Sequence, residues 1–277
     1  MKIGMQTTPY KEWTLEKTFE HLSKLGFEAV EIAAWPWYTP FKPDEIVGGG
    51  ARQITTAAKR CNLVITALTC HVNHIHPDSK ARAEANNFFR KVILCAKLLE
   101  APIVTAWSGK PIPAKMDEEN FQEIRHEMGR LVDYAAQEDV KIAVENYGPT
   151  LTFNVPRMEK LFKMIPSKNL CANFDPSHCI WQRTDYVTDV KRLGSKIVHT
   201  HAKDTEILKD VLAVEGVQGQ GWWRFRIPGK GAVNWKRLIA AYGEIGYDSV
   251  LSFEHEDQTV DRDTGAKRTL RYLRRLI

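Results

Sequence analysis

Short runs rich in Val, Ile and Ala recur along the chain, separated by longer stretches in which apolar residues return every three or four positions. The first pattern is that of buried strands and the second that of amphipathic helices. Eight strand segments stand out: Lys2 to Thr8, Ala29 to Trp35, Val64 to His71, Ile103 to Ser108, Lys141 to Tyr147, Leu170 to Asp175, Ile197 to Lys203 and Ser249 to Glu254. Each helical stretch between them is long enough to cross back over a sheet, which predicts parallel strands. Eight parallel strands alternating with helices close on themselves, so the expected fold is α/β, a (β/α)8 TIM barrel forming one domain over 1–277.

The helix boundaries carry their own signals. Thr14-Leu-Glu-Lys opens the first helix and Gly26 ends it just after Leu25; Ile245-Gly246-Tyr247 repeats the device before the eighth strand. One connection breaks the rhythm. From Asp204 to Val233 the chain runs through Gly219, Gly221, Trp222, Trp223, Arg224, Arg226, Gly229 and Gly231. Long connections in compact domains are usually functional, and this one leaves the βα side of the barrel, where catalytic groups gather.

Composition narrows the picture. With 277 residues and 43% hydrophobic content the chain can bury one large core. The net charge of +5 is modest, and the one basic cluster, Lys267, Arg268, Arg271, Arg274 and Arg275, has the spacing of a solvated helix face, so no nucleic-acid surface is expected. Five cysteines, Cys61, Cys70, Cys95, Cys171 and Cys179, are widely spaced without a C-x-x-C pair. Reduced thiols in a cytoplasm fit that usage. The start lacks the pattern of a signal peptide and no apolar run is long enough to cross a membrane, so a cytoplasmic protein is expected.

The candidate chemistry lies at four consecutive strand ends: Val-Glu145-Asn, Asn-Phe-Asp175-Pro-Ser-His178, His199-Thr-His201-Ala-Lys203-Asp204 and Phe-Glu254-His-Glu256-Asp257. Residues two apart on a strand face the same way, so Glu145, Asp175, His201 and Glu254 can all point inward at one mouth. Three carboxylates and an imidazole crowded there would repel without a cation, which predicts a bound divalent ion. Oxygen and imidazole donors without thiolate suit manganese first, with cobalt, magnesium or zinc as alternatives. His199 shares the inward phase of His201 and is a candidate substrate contact or packed histidine. Lys203 has the same phase further out, where its ammonium could neutralise an oxyanion, although a lysine at such a place more often carries its ammonium out to solvent. Six tryptophans, Trp35, Trp37, Trp107, Trp181, Trp222 and Trp223, fall near βα ends and suit a substrate carrying a ring, with Trp107 the foremost candidate contact. Of His71, His74 and His76, His71 is assigned to substrate and the other two to a solvated loop.

These motifs, with Ile227-Pro-Gly-Lys-Gly231, resemble the xylose-isomerase-like TIM-barrel superfamily, the sugar phosphate isomerase/epimerase group. The resemblance implies that Glu145, Asp175, His201 and Glu254 ligate the metal, that Glu145 and Glu254 act as acid and base on opposite faces of the substrate, and that His178 touches a substrate hydroxyl. It implies a divalent-metal-dependent isomerase or epimerase working next to a carbonyl through an enediolate, on a small sugar or keto-sugar, with a homo-oligomeric assembly. A lyase or dehydratase acting on an inosose or keto-glycoside, C-glycoside cleavage included, would share the first step. Two departures shift the reading away from a plain ketose 3-epimerase. Leu151 stands where that group has a second substrate-facing glutamate, and Ile207 where it has an arginine close after the metal histidine. Arg224 or Arg226, from the long connection, is the expected replacement. An abasic-site endonuclease shares the barrel but needs three zinc ions. Trp107-Ser108-Gly109 and Arg224-Phe-Arg226-Ile-Pro occupy the places of its extra ligands. A non-enzymatic sugar-binding role would require an incomplete ligand set.

Overall fold

The computed structural model describes all 277 residues. Eight parallel strands close a barrel: β1 (Lys2–Gln6), β2 (Ala29–Ala33), β3 (Val64–Cys70), β4 (Ile103–Ala106), β5 (Lys141–Glu145), β6 (Leu170–Phe174), β7 (Ile197–Ala202) and, as the eighth, β10 (Val250–Phe253). Consecutive strands are neighbours and β10 returns to pair with β1, through Lys2–Val250 to Met5–Phe253. Eight helices cover the outside, one after each barrel strand: Leu15–Leu25, Ala51–Arg60, Ser79–Leu98, Asp117–Gln137, Val155–Met164, Tyr186–Leu193, Trp235–Glu244 and Arg262–Leu273. The fold expected from the sequence is the fold observed.

The local signals act as read. The Thr14 side chain accepts from the Lys17 N–H at 3.3 Å, and Gly26, at φ 100°, turns the chain out of the helix. A side chain is costly in that left-handed conformation, which is why glycine stands there. The basic residues near the C-terminus are exposed along the last helix and just past its end, where Arg274 donates to the Gly26 carbonyl at 2.6 Å. All five cysteines are free and buried, and no helix is long and apolar enough to cross a membrane.

The 204–233 connection is built rather than loose. β8 (Asp204–Ile207) and β9 (Trp223–Arg226) form an antiparallel pair in the register Asp204–Arg226 to Ile207–Trp223, with a short helix, Lys209–Glu215, between them. The buried Asp204 carboxylate ties the assembly down. Its Oδ1 accepts from the N–H groups of Thr205 and Val233, and its Oδ2 from Gly229 N–H and the Trp235 indole, all at 2.8–3.1 Å.

Two cores result. The larger packs the outer face of the sheet against the helices, through residues such as Phe19, Leu22, Phe89, Phe121 and Leu238. Inside the barrel a small apolar layer of Ala67, Ile103, Ala143 and Cys171 closes the bottom. Strand alternation then stacks polar side chains above it: Glu31, Thr69, Thr105, Asn173, His199, His201 and Ser252, every one buried. Register shifts between Val30 and Glu31 and between Ala172 and Asn173 fall where this polar layer begins, and irregularities of that kind re-aim the side chains that follow.

Candidate active site

Above the polar layer the C-terminal strand ends bring together Glu145, Asp175, His201 and Glu254. One donor atom from each lies within 4.8 Å of all the others, and all four residues are buried. Glu145 ends β5, whereas Asp175 and Glu254 lie one residue past their strands, which are shorter than the sequence suggested.

Each donor is held from outside the cluster. The Trp107 indole donates to Glu145 Oε2 at 2.9 Å. Asp175 caps the short helix Pro176–Gln182, its Oδ1 accepting the Ser177 N–H at 2.8 Å, and Asn146 clamps its backbone through bonds of 2.8 and 2.9 Å. That leaves Asp175 Oδ2 buried without a hydrogen-bond partner, although Lys203 Nζ stands 3.1 Å away. Glu254 Oε1 accepts from Gln6 at 3.2 Å and its Oε2 from Lys203 at 2.5 Å. His201 Nδ1 lies 3.2 Å from Glu145, 3.3 Å from Glu254 and 3.7 Å from Asp175.

Lys203 does not reach for solvent. Its residue is 2% exposed; its ammonium also pairs with Glu256 at 2.8 Å and lies over the Phe225 ring. Burial alone would raise the three carboxyls and lower the two cations, but mutual attraction wins. Lys203 and His201 hold the Glu254 carboxyl at about 2. Lys203 and His178 depress Asp175, and His178 and His201 depress Glu145. His201 is raised by Glu254 and Glu31, and Lys203 by Asp175 and Glu254. By contrast burial pushes His199 down to about 4, despite Glu31 nearby, so His199 is a packed, neutral histidine whose Nδ1 meets Asn173 Oδ1 at 3.0 Å.

Around the donors runs an aromatic row. His71 stacks on Trp107 at 4.5 Å between ring centres, Trp107 on Tyr147 at 4.4 Å, and Tyr147 meets the edge of His178 at 5.0 Å. Trp181 donates to His178 Nδ1 at 3.3 Å, which leaves the N–H on Nε2. That nitrogen lies 3.4 Å from both Glu145 and Asp175 without a hydrogen-bond partner, and His71 Nε2, 3.4 Å from Glu145, is equally unpartnered.

Other residues fall elsewhere. Arg226 is pinned by Glu206 at 2.6 Å and Asp257 at 3.0 Å and makes no ion pair with the four donors. Arg224 also pairs with Glu206. Neither stands in the mouth as a free cation, because the hairpin uses both to lock its own strands. His74, expected in a solvated loop, is fully buried: Asn86 holds its Nδ1 at 2.7 Å and Phe89 packs against its ring. Trp222 is buried too, with its N–H on the Gly219 carbonyl. Sequence reasoning passed over Glu31 and Gln6, and gave no role to Asn146 and Asn173, which stand in the strand-end motifs. The signal for Glu31 was there, an acidic residue in the middle of Ala-Val-Glu-Ile-Ala.

The family model described as the xylose isomerase-like TIM barrel matches residues 19–276. The chain belongs to that family. It is 25% identical to the uncharacterized protein YfiH of Bacillus subtilis (strain 168), over all of this chain and 99% of that one. It is 23% identical to fructoselysine 3-epimerase of Shigella flexneri, over 92% and 90% of the two chains. Among solved structures, the probable 3-DHS dehydratase AsbF of Bacillus anthracis superposes with a TM-score of 0.79 at 17% identity, covering 99% of each chain. That last likeness is one of fold.

Proposed function

We propose that the chain is a divalent-metal-dependent sugar isomerase or epimerase that moves a proton on the carbon next to a carbonyl, through an enediolate. The observation that carries this reading is the buried set of Glu145, Asp175, His201 and Glu254 converging at the barrel mouth. The set fits a metal. Its donors span 4.8 Å, an ion with bonds of about 2.1 Å bridges roughly 4.2 Å, and Asp175 Oδ2 is a buried acceptor with no hydrogen bond of its own. Manganese suits the oxygen-rich set best, with cobalt, magnesium or zinc able to substitute.

When bound, the ion would supply positive charge where negative charge develops on the substrate. The protein's own groups divide the remaining work. Glu145 and Glu254 stand on β5 and after β10, with β6 and β7 between them, so one can withdraw the proton and the other return it. Their surroundings differ: Glu145 faces two histidines and an indole N–H, whereas Glu254 is paired to Lys203. His71 and His178 offer unpartnered Nε2 atoms to substrate hydroxyls. The Lys203 ammonium can follow negative charge from Glu254 to a nearby oxyanion. Trp107, stacked between His71 and Tyr147, turns its indole N–H to Glu145 and offers the substrate a ring edge rather than a face. The epimerase named among the relatives supports the reading.

A lyase or dehydratase reading, on an inosose or keto-glycoside, is favoured by one observation: Leu151 is fully buried among apolar neighbours, so no further carboxylate is supplied from that position. With Mn2+ and a panel of ketoses, inososes and 3-keto-glycosides in D2O, proton NMR should show loss of one C–H signal. An epimer at the end supports epimerisation, and an eliminated product supports the lyase. Glu145→Gln and Glu254→Gln should each slow the exchange by about 100-fold or more. Undiminished exchange in both variants would sink the two-carboxylate mechanism.

A further inference from the structure

Beneath the four donors, Glu31 on β2 is fully buried, and no lysine or arginine forms an ion pair with it. It is held instead by hydroxyls: Ser252 donates to its Oε2 at 2.5 Å, and Thr69, itself bonded by Thr105 at 3.1 Å, donates to its Oε1. A buried carboxylate fixed by neighbouring strands in this way is a stationary anion with one face left over. That face meets His201, whose Nε2 lies 3.2 Å from Glu31 Oε1. His199 Nε2, at 3.8 Å from Oε2, is too far for a hydrogen bond.

The His201 ring therefore bridges two environments. Nδ1 faces Glu145, Asp175 and Glu254, and Nε2 faces Glu31. A neutral imidazole carries one proton, and only its bare nitrogen can bind a metal. With the ion bound, an anion fixed at Nε2 would retain the one remaining proton there and leave the Nδ1 lone pair toward the mouth. Asn173 Nδ2, 3.3 Å from the same Nε2, would favour the opposite tautomer. It is a neutral group competing with a full charge, and its amide can turn over, which a carboxylate cannot.

We propose that Glu31 is a positioning residue, fixing the tautomer and ring orientation of His201 so that Nδ1 is presented to the ion. This rests on the metal reading above. The test is a Co2+ titration of the purified chain, followed by visible absorption and by calorimetry, on wild type, Glu31→Gln and Ser252→Ala. Glu31→Gln keeps the shape and removes the charge, and Ser252→Ala loosens the carboxylate without touching its charge. Wild type should take up one Co2+. Glu31→Gln should bind about 10- to 100-fold more weakly with an altered absorption band, and Ser252→Ala should fall between. Wild-type affinity and spectrum in a folded Glu31→Gln protein, or in Ser252→Ala should Glu31→Gln not fold, would overturn the positioning role alone. No Co2+ uptake by wild type would overturn the metal reading and this inference with it.

Discussion

Lys203 shows how far one residue's surroundings can redirect it. On an isolated strand end a lysine extends to water. Here its stem runs beside Phe225 and its ammonium sits among Asp175, Glu254 and Glu256. In the metal-free chain it is a cation placed where two proposed ligands converge, so it stabilises the carboxylates and also competes for them. Lys203→Met should lower the stability of the metal-free protein by about 3 kcal/mol, since a buried charge left unpaired costs more than its pair contributes. It should also make the protein more responsive to metal. In a thermal melt, added Mn2+ should raise the midpoint of the variant by more than that of wild type. Equal shifts in the two proteins would mean that the ammonium does not compete with the ion. Residue-level reading of the sequence located Lys203 by its strand phase but could not see its partners, because Asp175 and Glu256 reach it from different elements. Glu31 was hidden for a related reason. A single acid within an apolar strand gives no pattern, and its meaning comes only from Ser252 and His201, brought in by β10 and β7.

At the scale of elements, periodicity and capping made the eight strands and their helices legible, because each depends on local order: two-residue alternation, a threonine cap, a glycine exit. Strand ends were less legible. Asp175 is pulled out of β6 by its role as a helix cap, a contact to residues that follow it. The Asp204–Val233 connection was marked by its glycines, but their purpose came from tertiary packing. A Cβ on Gly231 would lie 2.2 Å from Asp204 Oδ1 and 2.5 Å from the Thr205 carbonyl, where nothing flexible can yield. Gly231→Ala should therefore displace the Asp204 anchor and cost about 2 kcal/mol or more. Urea unfolding measures the loss, and limited proteolysis should cut first within 208–222. A variant as stable and as resistant as wild type would show that the hairpin is anchored elsewhere. The two arginines point the same way: their expected place in the mouth gave way to pairing with Glu206 and Asp257, a cross-strand arrangement that spacing alone does not encode.

For the whole molecule, the barrel sorts its interior by height, with small apolar side chains at the bottom, hydrogen-bonded polar groups in the middle and carboxylates paired with Lys203 and His201 at the top. The metal-free top carries Glu145, Asp175 and Glu254 against Lys203 and a protonated His201, and Glu31 below adds a further negative charge. Burial should strip the proton from His201, but Glu254 and Glu31 raise its affinity for that proton above the ordinary imidazole value. The stability that this proton brings is fully present below the unfolded imidazole pKa of about 6.5 and fades as pH rises through the raised folded value. The carboxyls are depressed instead, so they stay ionised throughout the neutral range. Metal uptake must then displace one proton, from His201, and not from the acids. Its affinity should rise about tenfold per pH unit from pH 6 upward until the raised value is passed. An ordinary imidazole would instead level off near about 6.5. Calorimetry at pH 7.5 in two buffers of different ionisation enthalpy should report close to one proton released per Mn2+ bound. A release near zero would mean that Nδ1 is already bare in the metal-free protein, and that the carboxylates around it hold the ring by geometry rather than by charge.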